Sequence, residues 1–507
     1  MPDVPDVPPH DEHNAALVAN VHPPDWKNPE PAPRYNLVVI GAGTAGLVTA
    51  AGASLLGAKV ALVERHLLGG DCLNTGCVPS KSIIRSARSF ADVRDAHRFG
   101  VRVPEGTDVD FGAVMERMRR IRSRISAHDS AQRFKEEFGV DIFLGGARFA
   151  GPETVEVEGT PLRFKRAVIA TGARPVEPSI DGLREAGYLT SETVFSLTER
   201  PGRLLVLGGG PLGCELAQAF RRLGSEVTLV QRPPQLLIRE DPDAARILTE
   251  ALARDGVSVK LNTVVGKVVL SGAEKLVHLE GAGGDEVVPV DEILLGAGRA
   301  PNVEGLNLEA VGVRYDTKGG VVVNDHLQTT NGRIYAAGDV CMAYRFTHAA
   351  DAAARIVIQN SLFLGRKRLS GLTIPWCTYT DPEIARVGLN EEEARQRGVP
   401  VETFVRPLED VDRAITDGDE EGFVKIHVKR GSDTIVGATI VARHAGEMIS
   451  QVTLAMVGKV GLKTLSNVIH PYPTQAEAIR QAADAYQRGR LTPRLKRFLS
   501  RWLTWRR

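Results

Sequence analysis

The sequence predicts an α/β fold in which two similar strand–turn–helix–strand units are followed by an α+β domain. Two glycine turns, GAGTAG at 41–46 and GGGPLG at 208–213, each follow a short apolar run and open a helical stretch. After about residue 371 the glycine turns become rare, and alternating segments such as 422–428 and 434–441 indicate antiparallel strands. A chain of 507 residues is also long enough for about three domains.

The first unit consists of an apolar strand, the turn at 41–46, an Ala/Leu-rich helix and a second strand that ends in Glu64. In a GxGxxG turn the first glycine permits the tight turn, the second lets the backbone approach a pyrophosphate, and the third lets helix and strand pack closely. The free N–H groups of the helix N-terminus then face the phosphates, and an acid at the strand end accepts hydrogen bonds from ribose hydroxyls. The unit therefore predicts a dinucleotide site built on Gly41, Gly43, Gly46 and Glu64.

The second unit repeats this pattern with Gly208, Gly210 and Gly213, but its second strand ends in Gln231-Arg232 instead of an acid. Without the acid the usual ribose contact of NAD is lost, whereas Arg232 could pair with a 2′-phosphate. The missing acid and Arg232 therefore favour NADPH as the coenzyme, and NADH stays possible. A surface arginine without a ligand is the plainer alternative.

The segment GGDCLNTGCVPSK at 69–81 places Cys72 and Cys77 five positions apart. If a helix opens at 75–78, both sulfurs can face each other across its first turn, and a helix N-terminus favours the thiolate that carries out exchange chemistry. The alternative is a pair of buried structural cysteines. The remaining Cys214, Cys341 and Cys377 have no metal-ligand spacing and are expected to be small buried apolar groups, so no structural metal is predicted.

Together these motifs resemble the class I pyridine nucleotide-disulfide oxidoreductases, which include dihydrolipoyl dehydrogenase, glutathione reductase and mercuric reductase. The resemblance covers about residues 34–490, and its matching segments are GAGTAG (41–46), GGDCLNTGCVPSK (69–81), ATGARP (170–175), GGGPLGCE (208–215), GAGRAPN (296–302) and AAGDV (336–340). It implies a homodimer that passes electrons from NAD(P)H through FAD to a redox-active Cys72–Cys77 disulfide and then to an acceptor.

The resemblance also implies roles for single residues. Cys77 is expected to lie against the flavin as the charge-transfer thiolate, Cys72 to be the interchange thiol, and Lys81 to sit near flavin N5, ion-paired with Glu215. Further expected FAD contacts are Ala147, Gly172, Asp339 and Thr347. Gly298 is expected to contact NAD(P).

The C-terminal motif departs from the dithiol enzymes of the family. Where the lipoamide and glutathione enzymes carry His-Pro-Thr-x-x-Glu, supplied by the partner subunit, this chain reads Tyr472-Pro-Thr-Gln-Ala-Glu477. An unperturbed tyrosine has a pKa near ~10 and is a poor general base at neutral pH. His470 could substitute if the backbone turned it inward, but a structural or surface role is the favoured interpretation. Glu477 could still hold a partner residue, as the glutamate of the family motif does.

Mercuric reductase resembles this site more closely, because it also carries tyrosine at that position, and soft Hg(II) favours thiolate ligands such as Cys72 and Cys77. The expected activity is therefore NADPH-dependent reduction of Hg(II) or another small acceptor. Two other functions stay open: an NAD-dependent dihydrolipoyl dehydrogenase, and a flavoprotein redox sensor or membrane-associated interaction protein. The sequence has no GMTCxxC segment and ends in Trp505-Arg-Arg507 without a vicinal cysteine pair, which argues against efficient use of tightly thiol-bound Hg(II).

The expected organisation combines two Rossmann-like dinucleotide-binding domains with a dimerisation domain. Its predicted parts are a disordered, proline-rich N-terminal arm (1–33), an FAD-binding domain (34–173 and 298–370), an NAD(P)-binding domain (174–297), an α+β dimerisation domain (371–490) and a basic amphipathic helix (491–507).

Composition narrows the location and the partners. Net charge is +1, which gives no reason to expect nucleic acid, and five cysteines in 507 residues do not suit a disulfide-stapled secreted protein. The acidic N-terminus lacks the features of a signal peptide, and no stretch of 18 apolar residues occurs, so a cytoplasmic location is expected.

The tail from 488 to 507 carries eight Lys/Arg and no acid. After a cap at Thr492-Pro493, one helix face is apolar through Leu495, Phe498, Leu499, Trp502 and Trp505. Such a helix could make weak contact with a membrane surface. The favoured alternative is a terminal helix packed on the dimerisation domain.

Overall fold

The computed structural model describes residues 4–281, 283–296 and 298–507. Residues 1–3 of the predicted arm, residue 282 of the predicted NAD(P) domain and residue 297 of the GAGRAPN segment lie outside the described residues. The chain divides into two compact units: the first comprises Met1–Gly208, Ala219–Arg232 and Thr263–Leu372, and the second comprises Gly209–Gln218, Pro233–Asn262 and Thr373–Arg507. Among the described residues, no helix combines the length and the apolar character that crossing a bilayer requires.

The first part of the chain contains short strands rich in β-branched residues, and the first six of them form one sheet. The strands are β1 (Tyr35–Ile40), β2 (Val60–Glu64), β3 (Asp141–Leu144), β4 (Ala147–Gly151), β5 (Thr154–Val157), β6 (Thr160–Ile169) and β7 (Ala173–Pro175). The helices are α1 (Glu12–Val21), α2 (Thr44–Leu55), α3 (Gly70–Asn74), α4 (Cys77–Arg94), α5 (Phe111–Ser126), α6 (Ala131–Glu136) and α7 (Leu183–Ala186). β1 lies between β2 and β6 in parallel register, and β3 extends the sheet beyond β2. β4 and β5 continue from β6 as an antiparallel meander.

The middle of the chain contains a second sheet, of four strands, and several antiparallel strand pairs. Its strands are β8 (Arg203–Leu207), β9 (Glu226–Gln231), β10 (Ser258–Leu261), β11 (Thr263–Ser271), β12 (Glu274–Gly281), β13 (Glu286–Val290), β14 (Glu292–Leu295), β15 (Arg299–Pro301), β16 (Tyr315–Asp316), β17 (Gly320–Val321) and β18 (Ile334–Ala336). Its helices are α8 (Pro211–Arg222), α9 (Pro242–Asp255) and α10 (Thr347–Leu362). β8 pairs in parallel with β9 and β14 in the sheet order β10-β9-β8-β14, β11 to β13 form an antiparallel meander, and β18 joins β6 to complete the parallel order β3-β2-β1-β6-β18.

The second unit contains an antiparallel sheet in the order β19-β20-β23-β22-β21. The strands are β19 (Pro375–Thr378), β20 (Glu383–Gly388), β21 (Val401–Pro407), β22 (Phe423–Lys429) and β23 (Ile435–Ala442), and the helices are α11 (Glu391–Gln396), α12 (Asp412–Asp417), α13 (Ala445–Val457), α14 (Leu462–Leu465), α15 (Glu477–Gly489) and α16 (Pro493–Trp505). α13 and α15 pack on this sheet, and the apolar core between them includes the fully buried Ile426, Ile440, Val452 and Ile479. The predicted fold class, α/β with a C-terminal α+β domain, is confirmed.

The prediction of a disordered N-terminal arm is wrong for residues 12–21, which form α1. The Asp11 side chain caps this helix by accepting a hydrogen bond from the Asn14 backbone N–H at 2.8 Å. Leu17 and Val21, four residues apart, are fully buried. The many prolines before and after the helix hid this short amphipathic segment.

The C-terminal helix α16 is confirmed, with Pro493 as its first residue and the Thr492 hydroxyl as its cap. None of its residues is buried. The favoured expectation, that α16 packs on the dimerisation domain, is therefore wrong for the chain as the structure describes it.

Candidate active site

The first glycine turn packs so tightly that side chains are excluded from two of its positions. Gly41 has φ +100°, and a Cβ there would lie 2.4 Å from the carbonyl oxygen of Ala170. A Cβ at Gly46 would lie 1.8 Å from the carbonyl oxygen of Gly41. At Gly43, in contrast, the nearest atom would be Gly70 Cα at 3.8 Å, so the chain itself leaves room there. The space beside Gly43 is therefore available to a ligand at the N-terminus of α2.

Glu64 braces this turn from the end of β2. Its carboxylate accepts hydrogen bonds from the backbone N–H groups of Ala42 at 2.7 Å and His66 at 2.8 Å. Burial raises the pKa of the Glu64 carboxyl, and the two N–H groups oppose this rise. Each carboxylate oxygen has a second lone pair, so Glu64 can hold the turn and still accept from a ribose hydroxyl. The turn and its acid thus fit a dinucleotide.

Residues 69–81, which carry the two cysteines and are called the redox segment below, lie directly on this turn. The Gly69 N–H donates to the Ala42 carbonyl at 2.9 Å, and a Cβ at Gly70 would lie 2.7 Å from Gly43 Cα. Only glycine at position 70, where φ is +56°, allows this backbone-to-backbone approach. The redox segment is therefore fixed beside the place where the phosphates of a dinucleotide would bind.

The two sulfurs meet across two helices instead of across one helical turn. Cys77 is the first residue of α4, so a helix opens within 75–78 as expected, but Cys72 lies on a separate short helix, α3, that was not predicted. Cys77 is exposed and Cys72 is half-buried. The two cysteines lie on separate helices because Thr75 and Gly76 leave the helical conformation between α3 and α4.

The side chains of Cys72, Cys77 and Thr347 form one hydrogen-bonded group. A hydrogen bond to Cys77 and burial raise the pKa of the Cys72 thiol, while a hydrogen bond to Thr347 opposes the rise. Thr347 Oγ1 also lies 3.5 Å from Cys77 Sγ. Cys77 stands at the N-terminus of an 18-residue helix, whose dipole favours negative charge there. The helix N-terminus therefore favours negative charge at position 77, while the hydrogen bond to Cys77 and burial disfavour a thiolate at Cys72.

An ion-pair group that the motifs did not reveal lies next to Cys72. The Arg299 guanidinium donates to the Asp71 carboxylate and, at 2.5 Å, to the Ala173 carbonyl. Its Nε is 3.9 Å from the carboxylate of Asp339, whose pKa is raised by burial and lowered by Arg299. Arg299 therefore ties the residue before Cys72 to the predicted flavin ligand Asp339.

Three further positions predicted to contact a cofactor lie in the first unit, Ala147 and Gly172 for FAD and Gly298 for NAD(P). Gly172 and Gly298 have φ of +70° and +115°, and a Cβ at either would meet no protein atom within 4 Å. Thr171 Oγ1 donates to the Asn302 carbonyl at 2.7 Å and so ties the two segments together. Ala147 is the first residue of β4. Roles for these residues in binding stay predictions.

Helix α1, which was not predicted, supports the redox segment. The buried Arg122 donates to the Asn74 carbonyl, in the redox segment, and to the Asn14 side chain, both at 2.7 Å. Burial lowers the pKa of Arg122 to about 10. The Leu68 N–H also donates to the Val21 carbonyl at 3.1 Å. These contacts join residues more than 40 positions apart, and their sole local signal is the Asp11 cap.

Replacing Asn14 with leucine is expected to loosen the redox segment, because it leaves a buried Arg122 N–H without an acceptor, at a cost of about 1–3 kcal/mol. The measurements are the thermal midpoint and the rate at which iodoacetamide alkylates Cys72, and both should shift in Asn14→Leu. Asn20→Leu is the matched control, since the side chain of Asn20, also on α1, donates to the Ser126 hydroxyl at 2.9 Å and not to the redox segment as far as the described residues show. Equal alkylation rates in the two variants would contradict a link between α1 and the cysteine segment.

The second glycine turn has the features expected of its motif. Gly208, at φ +113°, donates its N–H to the Val230 carbonyl at 2.9 Å. Gly210 accepts from the Cys214 N–H at 2.9 Å, and Gly213 is buried on α8. Arg232 is exposed at the end of β9. Its binding to a 2′-phosphate stays a prediction.

The remaining site residues lie in the second unit, apart from Lys81, which is half-buried on α4. Glu215 is buried and accepts from the Tyr379 N–H at 2.8 Å. The Lys81–Glu215 pairing stays a prediction. Glu477 accepts from Arg480.

Tyr472 is 71% exposed, and its hydroxyl donates to the Asp412 carboxylate at 3.0 Å. This hydrogen bond raises the pKa of Tyr472. The His470 ring lies 2.8 Å from the Gln451 side-chain amide. Tyr472 is therefore even less able to act as a base than an unperturbed tyrosine.

Residues 35–354 match the family profile described as pyridine nucleotide-disulphide oxidoreductase. The chain belongs to this family. Residues 374–483 match the dimerisation domain of the same family. The oxidoreductase is accordingly a FAD-dependent enzyme that uses NAD(P)H, and its dimerisation domain supports a homodimer.

Named relatives of the oxidoreductase fall into two groups. It is 37% identical to mercuric reductase of Staphylococcus aureus over 89% of this chain and 82% of that one, and 36% identical to mercuric reductase of Streptomyces lividans over 89% and 96%. It is also 34% identical to dihydrolipoyl dehydrogenase of Thermus scotoductus over 89% and 97%.

Among solved structures, the oxidoreductase is similar to the HOCl-induced flavoprotein disulfide reductase RclA from Escherichia coli. The TM-score is 0.79 and the identity 28%, over 89% of this chain and 99% of that one. A Cu(II) complex of RclA matches with a TM-score of 0.78 and 28% identity, over 88% of this chain and 98% of that one.

Proposed function

We propose that this oxidoreductase uses NADPH to reduce a thiophilic metal ion, in the first place Hg(II), at Cys72 and Cys77. Oxidation of one NADPH to NADP⁺ and H⁺ releases two electrons, which reduce one Hg(II) to Hg(0) or two Cu(II) to Cu(I). The names of the mercuric reductase relatives and the Cu(II) complex of RclA support a metal-ion acceptor.

The observation that carries the proposal is the combination of an accessible sulfur pair with Tyr472. A dithiol substrate needs a base near neutral pH to take its proton, and Tyr472, with its hydroxyl bonded to Asp412, is unsuited to this task. A metal ion brings no proton to remove. The site therefore fits a metal ion better than it fits a dithiol.

The cysteines would both hold and reduce the ion. FAD and NADPH, when bound, supply hydride transfer and a two-electron carrier. Thiolates are ligands that soft cations prefer, so a cation that binds both sulfurs displaces the proton held by Cys72. Thr347, within 3.5 Å of Cys77 Sγ, helps to orient that sulfur.

The coenzyme and the location are parts of the same proposal. Arg232 in place of an acid favours NADPH, with residues 174–297 as the NAD(P) domain and residues 34–173 and 298–370 as the FAD domain. A cytoplasmic location suits the mechanism, because a reducing compartment keeps Cys72 and Cys77 available as thiols.

The proposal is tested by an anaerobic NADPH titration followed by a panel of acceptors: Hg(II), Cu(II), lipoamide, glutathione disulfide and a quinone. We expect fast NADPH oxidation with a metal ion and slow oxidation with lipoamide. Tyr472→His, which restores the base of the dithiol enzymes, should raise lipoamide turnover at least about tenfold.

His470→Gln is the matched control, and it should leave metal-ion turnover unchanged. Fast lipoamide reduction by the native protein, lost in His470→Gln, would overturn the proposal and identify a dihydrolipoyl dehydrogenase with His470 as base. A flavin that NADPH cannot reduce would favour a sensor instead.

A further inference from the structure

Helix α16 presents an apolar face that the described chain does not cover. Leu495, Phe498, Leu499 and Trp502 follow the i, i+3, i+4, i+7 spacing of one helix face, and Leu503 and Trp505 border it. Phe498, Leu503 and Trp505 are 65%, 56% and 82% exposed. A continuous apolar face with two tryptophans in water marks a binding surface.

The rest of α16 is cationic. Arg494, Lys496, Arg497 and Arg501 lie outside the apolar face, together with Ser500 and Thr504. Residues 488–507 carry eight Lys/Arg and no acid, while the whole chain has a net charge of +1, so the other 487 residues carry a net −7. The excess of positive over negative charge is thus found in residues 488–507, while the rest of the chain has a net negative charge.

We propose that α16 binds the surface of an anionic phospholipid bilayer, lying in the interface with its apolar face towards the acyl chains. Anionic headgroups complement the cations of the polar face, and tryptophan is favoured at the boundary of water and lipid. A second copy of the same helix would place four further cations against the four of the first, which disfavours self-association through this face. The inference is independent of the acceptor that the enzyme reduces.

The test is co-sedimentation of the full-length holoenzyme with vesicles of phosphatidylcholine, with and without phosphatidylglycerol. We expect binding only when phosphatidylglycerol is present, weakened by salt and accompanied by a blue shift of tryptophan emission. Arg497→Glu with Arg501→Glu should lower the bound fraction at least about tenfold. Phe498→Ser with Trp502→Ser should also lower it, which a purely electrostatic contact with a polyanion such as RNA would not require.

Arg314→Glu with Lys318→Glu is the matched control, because it makes the same charge change at exposed positions of the first unit and should leave binding intact. NADPH oxidation with a soluble acceptor should be unchanged in all three variants. Absence of vesicle binding by the native enzyme would overturn the inference, as would equal binding by the Arg497/Arg501 variant. If those variants instead alter the oligomeric state without vesicle binding, α16 is a contact between copies of this chain and the inference is likewise wrong.

Discussion

Cys77→Ser is expected to lower NADPH-dependent reduction of the acceptor at least about a hundredfold. Serine has no sulfur with which to form a disulfide to Cys72, and its hydroxyl neither ionises near neutral pH nor binds soft cations well. The N-terminus of α4, which favours charge at position 77, then has no thiolate to act on. Anaerobic steady-state turnover with the best acceptor of the panel measures the loss.

Flavin content and the thermal midpoint should stay close to those of the native protein in this variant, because Cys77 is exposed and a serine is similar in size. Cys377→Ser is the control: Cys377 lies in the second unit, where its sulfur contacts the Thr378 carbonyl at 3.6 Å, and turnover should be kept. If Cys77→Ser reduced the acceptor as fast as the native protein, electrons would leave the enzyme by another route and the proposed mechanism would be wrong.

The dinucleotide units and the cysteine pair could be predicted because their signals are local. Gly41 and Gly46 are required by contacts within their own strand–turn–helix segment and the neighbouring strand end, so their spacing in the sequence encodes the geometry. The strands at 422–428 and 434–441 were predictable from alternation within their own sequence, although β22 and β23 are buried on both faces.

What stabilises the redox segment could not be predicted in this way. Arg299 reaches Asp71 across 228 positions of the chain, and Arg122 reaches Asn14 across 108 positions. Arg122 does not differ in local sequence from an exposed arginine, and Arg299 lies in the GAGRAPN segment, whose sequence does not reveal its distant partner. The start of α4 at Cys77 was close to the expected position, but α3 was missed because five residues are too few for a helical period to be visible.

Replacing Gly46 or Gly43 of the first turn with alanine should have different effects on stability and on FAD binding. In Gly46→Ala the new methyl group would overlap the Gly41 carbonyl oxygen at 1.8 Å. The methyl carbon is attached directly to the backbone and the oxygen belongs to it, so neither can move away on its own. We expect loss of bound FAD together with a thermal midpoint several degrees lower in the flavin-free protein, since a clash in the core costs about 1–3 kcal/mol.

In Gly43→Ala the methyl group would meet only Gly70 Cα at 3.8 Å, and position 43 has φ −73°, which alanine adopts without strain. The free energy of unfolding of the flavin-free variant should therefore lie within about 0.5 kcal/mol of that of the flavin-free native protein. Its FAD retention should still fall at least about tenfold, because the second glycine of such a turn serves the approach of the pyrophosphate.

Flavin retained through dialysis and the melting of the flavin-free forms separate the two effects. Gly151→Ala is the matched control, because a Cβ at Gly151 in β4 meets no atom within 4 Å, and both measurements should equal those of the native protein. Full FAD retention in Gly43→Ala would mean that the open space beside Gly43 is not where the pyrophosphate binds. A destabilised flavin-free Gly43→Ala would mean instead that this glycine serves the packing of the redox segment on the turn, through Gly70, more than it serves the ligand.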